Sequence, residues 1–119
     1  MATQAGSNSR FATYKQFFPY YLNEHSNKVC RGLHYVGTAI GLSALVAFFV
    51  TFNPWFLLAM PLAGYGCAWI GHFFFERNKP ATFTYPFWSY VGDHHMFFLA
   101  LTGRLKERLE EAQRQFAPI

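Results

Sequence analysis

Apolar residues run almost without interruption through the middle of the chain and thin into mixed patterns on either side. No Asp, Glu, Lys or Arg occurs from Gly32 through Phe75. Within that stretch, 36–52 and 55–75 are each long enough to cross a hydrocarbon core about 30 Å thick at about 1.5 Å per helical residue. Asn53-Pro54 supplies the break between them, because the residue before a proline avoids the helical region and proline starts the next helix well. The pattern predicts two membrane helices, 27–52 and 55–76, folded as a hairpin.

The flanks read differently. Phe11, Tyr14, Phe18 and Tyr21 form an apolar stripe that predicts an interfacial helix over 11–24, bent at Pro19. From Pro80 to Gly103 the chain is apolar again, with Asp93 its single charged residue. As a third span this segment would bury Asp93 near mid-bilayer and strand Arg104, Lys106, Arg108 and Arg114 outside, both unfavourable. It is therefore expected to lie along the interface, with Pro86, Ser89 and Gly92 preventing a long straight helix before Asp93. From Asp93 a helix is expected to run on, since Phe97, Leu101, Leu105 and Leu109 recur every fourth residue beside the charged face of "RLKERLEEAQRQ". The fold class expected is all-α: an integral membrane helical hairpin with amphipathic interfacial helices at both ends. All of 1–119 forms one membrane domain in this reading, 83–116 being the interfacial segment and C-terminal helix.

Composition weighs against a soluble fold. The 119 residues are 52% hydrophobic and only 13% charged. Covering two helices that are apolar on every side would need several amphipathic helices, and about 60 residues remain to build them. "MATQAGSNSR" lacks the basic start and apolar stretch of a secretory signal, so targeting is expected to fall to the spans themselves. Cys30 and Cys67 are too few and too separate for a disulfide framework. The net charge of +4 comes without a basic run, its cations flanking apolar segments, so anionic lipid headgroups are the expected partner and nucleic acid is not. Lys15, Lys28 and Arg31 precede the hairpin and Arg77 and Lys79 follow it, whereas its tip carries no charge, which puts both open ends in the cytoplasm.

A hairpin brings His34 and His72 to one membrane face. Asn27, Arg31 and His34 share a helical stripe that Gly37 and Gly41 continue, and Ala59, Ala63, Cys67 and Gly71 place small residues every fourth position on the partner helix. His72 and Glu76, four residues apart, have the spacing by which two side chains can hold one metal ion. They equally suit an interfacial histidine and a solvated carboxylate offset by Arg77 or Lys79. His25 lies half a turn out of phase with His34 and converges with it only if the chain breaks between them, which Ser26 or Asn27 as an N-cap would provide. His94 and His95 stand about 100° apart on a helix, so at most one of them can face a shared centre.

"YLNEHSNKVCRGLHYVGTAIG" followed by "GHFFFERNKPATF" resembles the Mpo-type 2-hydroxy fatty acid dioxygenase family, small membrane proteins. The similarity covers about 14–105 and joins an H-x-x-x-x-x-R-x-x-H block to a G-H-x-x-x-E-x-x-x-P block in the same order around a hairpin. The family usually has Asn where this chain has Cys30; "YPFWSYVGD" looks like a bacterial subgroup, and His94 and His95 lie outside both blocks. The resemblance implies an Fe(II)-dependent dioxygenase of α-oxidation, which shortens a 2-hydroxy fatty acid by one carbon with molecular oxygen. It further implies one Fe(2+) held by His25, His34 and His72, with Glu76 as fourth ligand or as partner of a ligand. Arg31 or Lys79 would steady the substrate carboxylate. The bacterial-like C-terminal part favours an inner membrane over endoplasmic reticulum. Without the resemblance, the same residues also suit a nonenzymatic membrane adaptor or lipid-binding protein with a structural His/Glu cluster.

Overall fold

The computed structural model describes residues 11–80 and 83–116, and among these it is all-helical, with five α-helices. The chain divides into two compact units: residues 27–80 form one, and the described residues up to 26 and from 83 on form the other.

The first unit is a helical hairpin. Helix α2 (Lys28–Thr51) begins at Asn27, whose Oδ1 accepts the N–H groups of Val29 at 2.8 Å and Cys30 at 3.1 Å, satisfying donors that have no partner inside the helix. It ends at Phe52, which takes the left-handed conformation with φ 55. Asn53 Oδ1 then accepts the Trp55 N–H at 3.0 Å, and α3 (Trp55–Ile70) follows. Helix α3 passes directly into a wider π-type turn over Gly71–Glu76, closed by Arg77 with φ 59.

What packs this hairpin is small. The buried positions of α2 are Cys30, His34, Gly37, Thr38, Gly41 and Ala44, a stripe recurring every three or four residues. A Cβ added at Gly37 would stand 3.0 Å from the Ala63 carbonyl oxygen and 3.1 Å from Cys67 Cβ; one at Gly71 would stand 2.9 Å from Cys30 Sγ. The backbones therefore approach as closely as the missing side chains allow. Gly41 meets Met60, not Ala59, at the next level. The large apolar side chains point outward: Val46, Phe49, Val50, Trp55 and Leu62 are all exposed. Lys28–Thr51 and Trp55–Glu76 are both long and apolar enough to cross a membrane, and only 28% and 17% of their apolar windows are buried, whereas the core helix of a soluble protein is mostly buried.

The second unit packs the other way round. Helix α1 (Tyr14–Asn23) starts at Thr13, whose Oγ1 accepts the Gln16 N–H at 3.2 Å, and it buries Phe17, Phe18, Tyr21 and Leu22. Against it lie α4 (Pro86–Leu101), which buries Met96 and Leu99, and α5 (Leu105–Gln115). Phe17 meets the rings of Tyr85 and Trp88 at 5.0 and 5.6 Å, and Phe18 stacks on His95 at 3.9 Å while the Arg108 guanidinium lies over the Phe18 ring, 5.4 Å from its centroid.

One segment departs from the pattern expected of it. Helix α4 starts at Pro86 and runs straight through Ser89 and Gly92, and the break falls later, at Thr102–Arg104. Proline at the first helical position loses no bond it would otherwise make. Gly92 stays helical and serves packing: a Cβ there would stand 3.2 Å from the Tyr21 ring. Gly103, with φ +74, ends the helix instead, so the series from Phe97 to Leu109 is split between α4 and α5.

Candidate metal centre

The hairpin brings His34 and His72 together. Their rings lie 5.0 Å apart and nearly perpendicular, at 88°, and both residues are buried. His34 Nδ1 is 2.8 Å from the Cys30 carbonyl oxygen, one turn back in α2. A carbonyl can only accept, so Nδ1 carries the proton and Nε2 the lone pair. His72 is the second residue of the π-type turn, a local widening of the kind that re-aims side chains at functional sites. Its carbonyl accepts the N–H groups of Arg77 and, at 3.0 Å, of Asn78. That curl returns Asn78 Oδ1 to 2.7 Å from His72 Nδ1, fixing the same tautomer.

Glu76 closes the π-type turn, and its carboxylate accepts the backbone N–H of Asn27. This bond ties the end of the second long helix to the N-cap of the first. Arg31 is hydrogen-bonded to Tyr35, one turn further along α2, and its charge is felt at Glu76. Phe73, Phe74, Arg77, Asn78 and Lys79 line an open depression of about 450 Å³.

His25 follows α1 and is also buried. Its Nδ1 lies 2.5 Å from the Tyr21 carbonyl oxygen, which again makes Nδ1 the donor, and its ring packs on that of Tyr21 at 4.1 Å. Only Ser26 separates it from Asn27, so the chain itself holds it near the start of α2. His25, His34 and His72 each offer one ligand atom, all within 4.8 Å of one another, so the three could hold one metal ion. Glu76 is not among these atoms. The donor set fits a transition metal: each imidazole donates Nδ1–H to an oxygen and keeps its lone pair on Nε2, the arrangement that orients metal-bound histidines.

Asp93, His94 and His95 belong elsewhere. His94 Nδ1 donates to the Tyr90 carbonyl at 2.9 Å, and His95 Nδ1 pairs with the Tyr14 hydroxyl at 2.9 Å. Burial holds His95 below the usual imidazole range, and Arg108 adds to that. Burial likewise pushes the Tyr14 hydroxyl up to about 12. Asp93 accepts the Tyr21 hydroxyl. Part of this residue is exposed, yet desolvation of its carboxyl pushes the pKa up to about 7, against the opposing pull of the Tyr21 hydrogen bond. Asn78 and Tyr21, which hold two of the three histidines, had no signal in the pattern of spacings: Asn78 reaches His72 only through the left-handed Arg77, and Tyr21 acts on His25 through a backbone carbonyl.

Fold and site together define a helical protein with two membrane-length helices and a buried histidine cluster competent for a metal. The chain belongs to the 2-hydroxy-palmitic acid dioxygenase Mpo1-like family, whose profile matches residues 11–105. No curated protein and no solved structure matches it.

Proposed function

We propose that this protein is a non-haem Fe(II)-dependent dioxygenase that acts on 2-hydroxy fatty acids within a membrane, shortening the chain by one carbon. The family name supplies the substrate class. The observation that carries the reading is the convergence of three buried imidazoles, each with Nδ1 engaged as a donor and its lone pair on Nε2. Bound iron would supply the activation of oxygen and the electron transfer that side chains cannot perform alone. The overall change balances as 2-hydroxy acid plus O2 giving the acid one carbon shorter, CO2 and water, a four-electron oxidation of the substrate. His25, His34 and His72 hold the metal. Glu76 acts through the Asn27 N–H, keeping the His72 turn against the start of the helix that carries His34. Arg31 takes the substrate carboxylate, and Lys79, on the rim of the depression beside Asn78, is the second cation placed to do so.

The exposed apolar faces of the two long helices support a bilayer as their surroundings, the uncharged tip at Asn53-Pro54 supports cytoplasmic ends, and the bacterial-like "YPFWSYVGD" supports a bacterial inner membrane. The acyl tail then stays in the apolar phase while its polar head meets the histidines.

The test is metal analysis of protein purified without a chelating tag, paired with oxygen consumption on 2-hydroxypalmitate. Stoichiometric iron and substrate-dependent oxygen uptake are expected, and His25→Ala, His34→Ala and His72→Ala should each lose most of both. Glu76→Ala should lose about 10- to 100-fold in metal affinity or activity, as a group that orients ligands does; abolition of binding would make it a ligand. Iron-free protein with no oxygen uptake, and histidine variants indistinguishable from the native chain, would leave a nonenzymatic membrane protein with a structural polar cluster.

A further inference from the structure

The residue group Tyr21, Gly92 and Asp93 has no part in the chemistry above, yet it is built around one of the three histidines. The Asp93 carboxylate accepts the Tyr21 hydroxyl across the pairing of α4 with α1. Beside it, Gly92 leaves room for the same ring, where a Cβ would stand 3.2 Å from ring carbons Cδ2 and Cε2. The Tyr21 ring is thus gripped at its edge by a hydrogen bond to the Asp93 carboxyl and along its side by a bare helix backbone. Its inner face packs on the His25 imidazole at 4.1 Å, and its backbone carbonyl accepts the His25 Nδ1 proton at 2.5 Å.

We propose that Asp93 and Tyr21 are positioning residues for His25. Asp93 sets where the Tyr21 ring lies; the ring and its carbonyl together set the plane and tautomer of the imidazole. This rests on the three-histidine metal reading and adds the part that reading lacks. His34 and His72 are held by partners within the hairpin, Cys30 and Asn78, whereas His25 lies past the end of α1 and depends on the packing of α1 against α4. A carboxyl in the middle of an apolar segment is costly unless it is tethered, and here its tether is the residue that supports the ligand.

Cobalt(II) serves as the probe, because its visible absorption bands report the ligand set directly and binding can be titrated without turnover. Tyr21→Phe and Asp93→Leu each cut the link and should weaken Co(II) binding by about 10- to 100-fold, the usual consequence of losing a group that orients a ligand, with shifted absorption bands. Tyr21→Phe leaves the Asp93 carboxyl without its donor, so the double variant Tyr21→Phe/Asp93→Leu, which replaces both partners by apolar groups, keeps the test open should the single variant misfold. Asp93→Asn retains an acceptor for the hydroxyl and should stay closer to the native affinity and spectrum than Asp93→Leu. A purely structural bond would lower the thermal midpoint while leaving affinity and spectrum native in the folded fraction. If His25→Ala loses the metal while Tyr21→Phe, Asp93→Leu and the double variant bind Co(II) as the native chain does, the positioning role is wrong and the metal site stands. If His25→Ala also binds natively, the three-histidine site falls, and this inference with it.

Discussion

The two units of the molecule draw on similar apolar residues and use them in opposite senses. In the hairpin of residues 27–80, glycine, alanine and cysteine meet at the helix contact while Phe, Val, Leu and Trp face outward. In the unit built from α1, α4 and α5, Phe17, Phe18, Tyr21 and Met96 face inward and the charged side of α5 faces out, although Phe87, Phe98 and Leu101 on α4 stay exposed. The difference is what a hydrocarbon environment around the hairpin alone would produce. In water, burying large side chains is the main driving force, so they go inside. In hydrocarbon nothing is gained by hiding a leucine from lipid, and close backbone packing by small residues is what remains to hold two helices together. The hairpin thus packs inside-out relative to the other unit, and its two helices are long and apolar enough to cross a membrane.

Exchanging a large aromatic for alanine in both units is the strongest way to break that comparison. Phe17 is 0% exposed and Phe49 is 62% exposed. Phe17→Ala should destabilise by about 3–5 kcal/mol, the usual cost of truncating a buried aromatic. Phe49→Ala should stay within about 0.5 kcal/mol, as surface changes do. Denaturant titration in detergent micelles, followed by tryptophan fluorescence, measures both. Equal costs would mean that the outward faces of the hairpin are covered by protein.

The reverse exchange sharpens the same point at a smaller scale. Gly37→Ala puts a methyl 3.0 Å from a backbone oxygen and 3.2 Å from Gly64 Cα, neither of which can swing aside, so the seam must open. About 1–3 kcal/mol of destabilisation is expected, together with weaker metal binding, because the same seam carries His34 toward His72. Gly66→Ala meets nothing within 4 Å and should be neutral or stabilising by up to about 1 kcal/mol through helix propensity. A tolerated Gly37→Ala would remove the close-packed seam from the account.

These contrasts also explain how far the sequence could be read. The two membrane-length helices were visible because the stretch from Gly32 to Phe75 carries no Asp, Glu, Lys or Arg and is broken only at Asn53-Pro54, and the small-residue stripe on α2 could be read from its spacing alone. The convergence of His34 and His72 followed from the hairpin. The course of 86–104 was not legible: Gly92 reads as a helix breaker unless one knows that Tyr21, more than seventy residues earlier, needs the space it leaves. The π-type turn was hidden for a similar reason. Nothing in "GHFFFE" departs from helical spacing, and the widening is visible only in the backbone that carries His72 to Asn78.

The smallest expected effect separates the units by pH. The hairpin unit holds one acid, Glu76, at the end of its second helix, whereas the aromatic unit holds Asp93, which faces Tyr21 and Tyr14 on α1 and whose pKa is raised from 3.8 to about 7 mainly by desolvation. A group that binds its proton more tightly when folded stabilises the fold while protonated. Its contribution is complete below the unfolded value near 4 and is lost as pH rises toward 7. Other carboxylates titrate in the same window, with the opposite sign where they are paired, so the informative quantity is a difference. Native stability minus that of Asp93→Asn, measured in chelator-treated protein by thermal unfolding, should fall from pH 4 to pH 7 and then level off, because Asn has no proton to lose. The same subtraction for Gly66→Ala should be flat, since that change adds no titrating group. A flat Asp93 difference would mean that water reaches the carboxyl in the folded protein and that the Tyr21 hydrogen bond forms at a wet surface. The hold on His25 would then be weaker than the packing around Gly92 implies.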